Sequence, residues 1–265
     1  MRSSRFITLL APFALPALLF GSTAAANAST AIVLRYHFTI GRTIGYKANI
    51  ALKEAVAAGP QHQTISIRET LGFTQRVSKV YADGSALVVA TYTNATITAN
   101  GRTQPLPLQG TKVSLRISAT GETHASVSGP ATSALGGGIN VGSTSALPTH
   151  PVAVNDSWTT AQTISLGSLA TGHVTQRSTL VSLNSVGGDR VANIRTSVLP
   201  SSLSITTNGV TLTGDATGGS TSHFDADAGV LESAHTKVHI PFKGTYQGAN
   251  VRIILDETAD TVRTA

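Results

Sequence analysis

The chain has 265 residues, no cysteine, 12% charged residues and a formal net charge of +6. That composition excludes a disulfide framework, and the scattered Lys and Arg form no run of the kind a nucleic-acid-binding protein concentrates along one element. The positive sign allows no more than mild attraction to anionic envelope polymers or lipid headgroups.

Arg2 and Arg5 precede the apolar stretch Phe6–Phe20, and Ala26-Asn27-Ala28 forms an A-x-A cleavage signal before Ser29. Residues 1–28 therefore read as a signal peptide. The stretch is short for a membrane span and is interrupted by Pro12 and Pro16. No Cys follows it, so the expected product is secreted or periplasmic, soluble and not lipid-anchored. Removal leaves 265 − 28 = 237 residues with a net charge of (19 − 2) − 13 = +4. A chain of that size can bury about 70% of its unfolded surface without staples. Export without disulfides leans toward a bacterial envelope.

Alternation dominates the rest. Ile32, Leu34, Tyr36, Phe38 and Ile40 share one face, which predicts a half-buried strand. Gly41-Arg42 turns the chain into a second strand over Ile44–Leu52, and Ala51–Ala58, ended by Gly59-Pro60, predicts two turns of helix. Asp83-Gly84 is expected to join Val77–Tyr81 to Ser85–Thr98, and Asn100-Gly101 favours a type I′ hairpin. Val113, Leu115, Ile117 and Ala119 form the next apolar face. Gly129–Pro151 is rich in Gly, Ser, Thr, Ala and Pro and reads as a linker over 130–149. Beyond it, Gly187-Gly188-Asp189 is expected to link Thr175–Val186 to Arg190–Leu199. Asn208-Gly209 pairs Thr207 with Val210, Thr206 with Thr211 and Ile205 with Leu212. Val238, Ile240 and Phe242 alternate with Lys237, His239 and Pro241.

The segment Ile97–Thr103 returns as Ile205–Thr211, an offset of 205 − 97 = 108, and Gly110 and Gly121 land on Gly218 and Gly229. Two sequence-related halves, 29–129 and 150–265, are therefore expected. The favoured fold is all-β: one curved antiparallel sheet or open half-barrel sharing a core, with two separate sandwiches as the alternative.

Chemistry is sparse. No G-x-S-x-G or S-x-x-K frames a serine, and no H-E-x-x-H occurs. His235 and His239 fall on one face of a predicted strand, about 13 Å apart by strand rise, too far for one metal ion. Asp225-Ala226-Asp227-Ala228-Gly229 starts like a calcium loop, but Thr236 stands where the bidentate acid belongs. A turn explains it better, with a weak calcium site at Asp225 and Asp227 as the lesser reading. The 13 acids lie mostly near turns or the carboxyl end (Asp256, Glu257, Asp260), and aromatics at 5% are thin for a sugar cleft. No enzymatic activity, cofactor or metal is expected.

Trp158, the one Trp, suits a core anchor where the halves join; the ligand-binding assignment considered for it is a pocket wall. It closes the phrase Pro151-Val152-Ala153-Val154-Asn155-Asp156-Ser157-Trp158. This resembles a P-V-x-V-G-D-S-W-like motif of bacterial secreted β-rich proteins, with Asn155 in place of glycine at a left-handed turn position. The wider layout resembles the half-barrel envelope proteins that include lipoprotein carriers, although the lipid-attachment Cys and a pair of plug helices are absent. The resemblance implies a curved sheet around an apolar groove. The expected partner is a lipid or other apolar small molecule, held by a non-enzymatic binding protein. The alternative is a cell-surface structural or interaction module, with an envelope component as partner and no cavity.

Overall fold

The computed structural model describes residues 31–126, 146–165, 171–207, 210–246 and 249–264. The expected signal peptide and most of the expected linker lie outside them. Thirteen strands follow in chain order. They are β1 (Thr43–Ala58), β2 (Gln61–Val80), β3 (Ala86–Ala99), β4 (Arg102–Pro105), β5 (Lys112–Ile117), β6 (Thr123–Ser126) and β7 (Ser157–Ser165). After them come β8 (Thr171–Val186), β9 (Asp189–Val198), β10 (Ser201–Thr207), β11 (Val210–Asp225), β12 (Val230–Tyr246) and β13 (Ala249–Thr264). All belong to one open antiparallel sheet, ordered β6-β5-β3-β2-β1-β13-β12-β11-β9-β8-β7, with β4 beside β3 and β10 beside β11. Among the described residues there is no helix.

The order contains one pattern twice. β6-β5-β3-β2-β1 and β12-β11-β9-β8-β7 run the same way, and β13 fills the gap between them. Residues 102–117, holding β4 and β5, map by 102 + 108 = 210 and 117 + 108 = 225 onto the bounds of β11. The anticipated hairpins are present: Asn100 (φ 51°) and Gly101 (φ 75°) have the two positive φ angles of a type I′ turn, and β10 meets β11 in the expected register.

Two sequence expectations are corrected. Ala51–Ala58 is the second half of β1, not a helix, and pairs over its whole length with β2 and β13. Its alanines favour helix by propensity, but ladders on both sides satisfy every backbone group and the pleat sorts Leu52, Glu54 and Val56 from Ala51, Lys53 and Ala55. Ile32–Ile40 is extended but joins no ladder beyond the single bridge Ile32–Val152. It crosses strand ends as a strap. Tyr36 N–H donates to Ala119 O (2.9 Å) and His37 N–H to Gly229 O (3.0 Å), so it ties the β5–β6 turn to its counterpart between β11 and β12. Arg35 adds side-chain bonds to the carbonyls of Pro148 and Thr149.

Packing explains the curvature. Phe242 and Ile240 are buried among Val174, Leu203, Leu212 and Ala216, all from strands of the same sheet. With no second layer to cover them, the sheet must bend until its own strands enclose the concave face. The strap fills the end of that face where β2–β3, β5–β6, β8–β9 and β11–β12 turn. Ile32, Leu34 and Tyr36 pack there with Val152, Leu180, Ile194 and Phe224, and Phe38 reaches the neighbouring cluster of Tyr46, Leu71 and Phe73. The opposite end, where β1–β2 and β12–β13 turn, receives no strap among the described residues.

Candidate functional site: the open end of the concave face

The face of each strand follows from parity. Tyr46, Ala48 and Ile50 are buried on the concave side of β1, so Leu52, Glu54 and Val56 continue on that side toward the hairpin. Leu52 stands between Ile67 and Glu257, Glu54 between Ile65 and Leu255, and Val56 between Gln63 and Ile253. Leu52, Val56, Ile65, Ile67, Ile253 and Leu255 are all only half-buried. Among the described residues the strap thus closes one end of this face, while the side chains at the other end keep partial exposure. Near the β1–β2 hairpin a shallow depression of about 430 Å³ is lined by Val56, Ala58, Gln61, His62 and Gln63.

Two carboxyls mark the boundary between the closed and open parts. Glu69 faces Ile50, and Glu257 faces Leu52, on opposite flanks of β1. No ion pair reaches either among the described residues. Burial, and secondarily the charge of Glu69, push the Glu257 carboxyl up to about 7. Burial also raises that of Glu69. The sequence reading named Glu257 only as one of the carboxyl-end acids and singled out neither residue as a site, although a parity signal existed: Glu69 shares a face with Ile67 and Leu71, and Glu257 with Leu255 and Ala259.

The convex face is polar. His235 Nδ1 lies 2.6 Å from Asp260 Oδ1, and His239 Nδ1 lies 2.6 Å from Asp256 Oδ1, as two cross-strand pairs. The two histidines share a face as expected, each engaged with its own carboxylate. Among the described residues no three His, Asp or Glu side chains gather as a metal ion would need.

Asp225 and Asp227 sit in the turn between β11 and β12. The buried Asp225 carboxylate accepts the N–H groups of Asp227 (3.0 Å) and Ala228 (2.8 Å), closing the turn on itself. Asp227 is held by Arg190, whose Nε (2.9 Å) and backbone N–H (2.7 Å) both donate to it. These hydrogen bonds, before charge attraction, keep the Asp227 carboxyl below the usual carboxylate range.

Trp158 lies in the strap cluster, 6% exposed, with its indole N–H donating to Ala146 O (2.8 Å). Asn155 has φ 76°, the left-handed turn expected of it. The ring is therefore at the closed end, away from Leu52, Ile67 and Leu255.

Fold and site together define an all-β protein with a single strapped, half-open antiparallel sheet. No family model matches the chain, and no curated protein does so. Among solved structures, an outer membrane lipoprotein-sorting protein domain from Vibrio parahaemolyticus is similar over 83% of each chain, at 11% identity and TM-score 0.21. A DUF1329 family protein from Desulfovibrio piger is similar over 79% of this chain and 83% of its own, at 9% identity and TM-score 0.15. Likeness at these levels assigns neither family nor activity.

Proposed function

We propose that this is an exported, non-enzymatic protein of the cell envelope that holds an apolar or amphipathic molecule at the open end of its concave face. One observation carries the reading: Leu52, Val56, Ile65, Ile67, Ile253 and Leu255 cluster around Glu54 on the concave face beyond the strap, and all of them stay only half-buried. Covering half-exposed apolar side chains is favourable by about 25 cal/mol per Å², which a hydrocarbon ligand would supply. Glu69 and Glu257 would meet the ligand's polar end, and Trp158 would serve the groove from behind, by fixing the closed end.

On this reading residues 1–28 direct export, and the repeated pairing order descends from duplication of one β unit, with halves at 29–129 and 150–265 joined by 130–149. The alternative surface-module reading draws on the closed end, where the protein's own side chains fill the face.

Native mass spectrometry of the mature protein, purified without detergent and then solvent-extracted, tests the proposal. Extra mass that extracts as lipid is the expected result, together with uptake of an apolar dye that Ile67→Lys abolishes. A bare mass that stays unchanged after incubation with envelope lipids would favour the surface module.

A further inference from the structure

Lys243 and Arg252 face each other directly across β12 and β13, and both are exposed. Like charges directly opposite in a ladder destabilise it. Lys243 is flanked on its other side by Thr213, with the exposed Asp215 one pleat further along β11, and Arg252 by Ala57; no ion pair reaches either cation among the described residues. Three other cations are treated differently. At the closed end Arg116 pairs with Asp83, Arg190 with Asp227 and Arg263 with Glu232. Further along the convex face toward that end, Asp256 and Asp260 are hydrogen-bonded to His239 and His235, and the exposed Lys53, Arg68 and Lys237 have no ion pair among the described residues. Near the open end Lys243 and Arg252 thus set two cations side by side, on the back of the strands whose concave side carries Phe242, Val251 and Ile253.

We propose that this end of the sheet docks on an anionic lipid bilayer, with Lys243 and Arg252 straddling phosphate headgroups at the rim of the open mouth. A bilayer surface fits better than a soluble anion because it offers negative charge to the rim and hydrocarbon to the apolar face beside it in a single approach. The inference rests on the mouth being an apolar opening, as proposed above, and docking is read separately from cargo uptake.

The test is cosedimentation of the mature protein with phosphatidylcholine vesicles, with and without phosphatidylglycerol, at low and high salt. Binding to the anionic vesicles alone, weakened by salt, is expected. The double variant Lys243→Gln/Arg252→Gln should bind about 30-fold more weakly, roughly fivefold for each charge lost near the surface. Its Tm should stay level or rise, because the repulsion is gone, and its uptake of an apolar dye in vesicle-free buffer should not change. Equal binding to both vesicle types, or a double variant that binds like the parent, would overturn docking. So would soluble polyphosphate displacing the protein from vesicles at matched phosphate, which would reassign the rim to polyanions. If anionic vesicles bind the parent protein but no dye or lipid is taken up, docking stands and the cargo reading falls.

Discussion

Replacing Glu257 by Gln should stabilise the protein, and only above mildly acidic pH. The folded carboxyl titrates near 7 against an ordinary value of 4.5, because burial, and then the charge of Glu69, disfavour its ionised form. Its folded pKa is raised, so between those values the native state holds more proton than the unfolded chain does, and stability falls as pH rises. The shift of 7 − 4.5 = 2.5, at 1.36 kcal/mol for each unit, gives about 3 kcal/mol of lost stability by pH 8. Gln keeps the size and removes the charge. Urea unfolding of the parent and the variant at pH 4.5 and pH 8 measures the difference. The variant should gain about 2–3 kcal/mol at pH 8 and close to nothing at pH 4.5. An equal gain at both pH values, or none at pH 8, would refute the argument that the concave face desolvates this carboxyl.

Phe242→Ala, at a fully buried ring in the bend of the sheet, should cost about 3–5 kcal/mol in the same unfolding assay. The Tyr36 hydroxyl is buried with no hydrogen-bond partner among the described residues, so Tyr36→Phe should raise stability by about 1 kcal/mol, read as a higher urea midpoint. Gly229→Ala should cost about 3 kcal/mol or more, since φ is +64° and a Cβ would fall 2.4 Å from the His37 nitrogen. Hydrogen exchange at the Tyr36 and His37 amides should quicken with it as the strap loosens. Gly101→Ala, with φ +75° and nothing within 4 Å of a new Cβ, should cost only about 1–2 kcal/mol and leave the strap amides protected.

Much of the sheet was legible because a pleat writes its faces with period two and its turns in Asn, Asp and Gly. Val113, Leu115 and Ile117 are buried as their alternation implies, and the Asp83-Gly84 and Gly187-Gly188 turns join the strands anticipated for them. Period two reports extension rather than pairing, however. Ile32, Leu34 and Tyr36 alternate as faithfully as any strand, yet their backbone spans turn to turn instead of entering a ladder. Ala51–Ala58 misled for the opposite reason, since local propensity carries no knowledge of the two strands that flank it. The candidate site was the least visible part. Glu69 and Glu257 are far apart in sequence and come to flank β1 only because β13 lies beside it. Lys243 and Arg252 become neighbours only through the hairpin register, so counting charge along the chain could not find them.

The place of β13 between the two copies of the pairing order governs how the molecule can assemble. β1 emerges among the earliest segments, yet its partner along Gly45–Ala58 is β13, which follows every other strand in the chain. A chain delivered amino terminus first can therefore build two part-sheets early, each ending in an unsatisfied edge. Those edges invite mispairing until the final strand arrives. Such a design rewards any arrangement that keeps the halves apart while they wait, and it makes the closing of the molecule a single late event in which one strand turns two sheets into one.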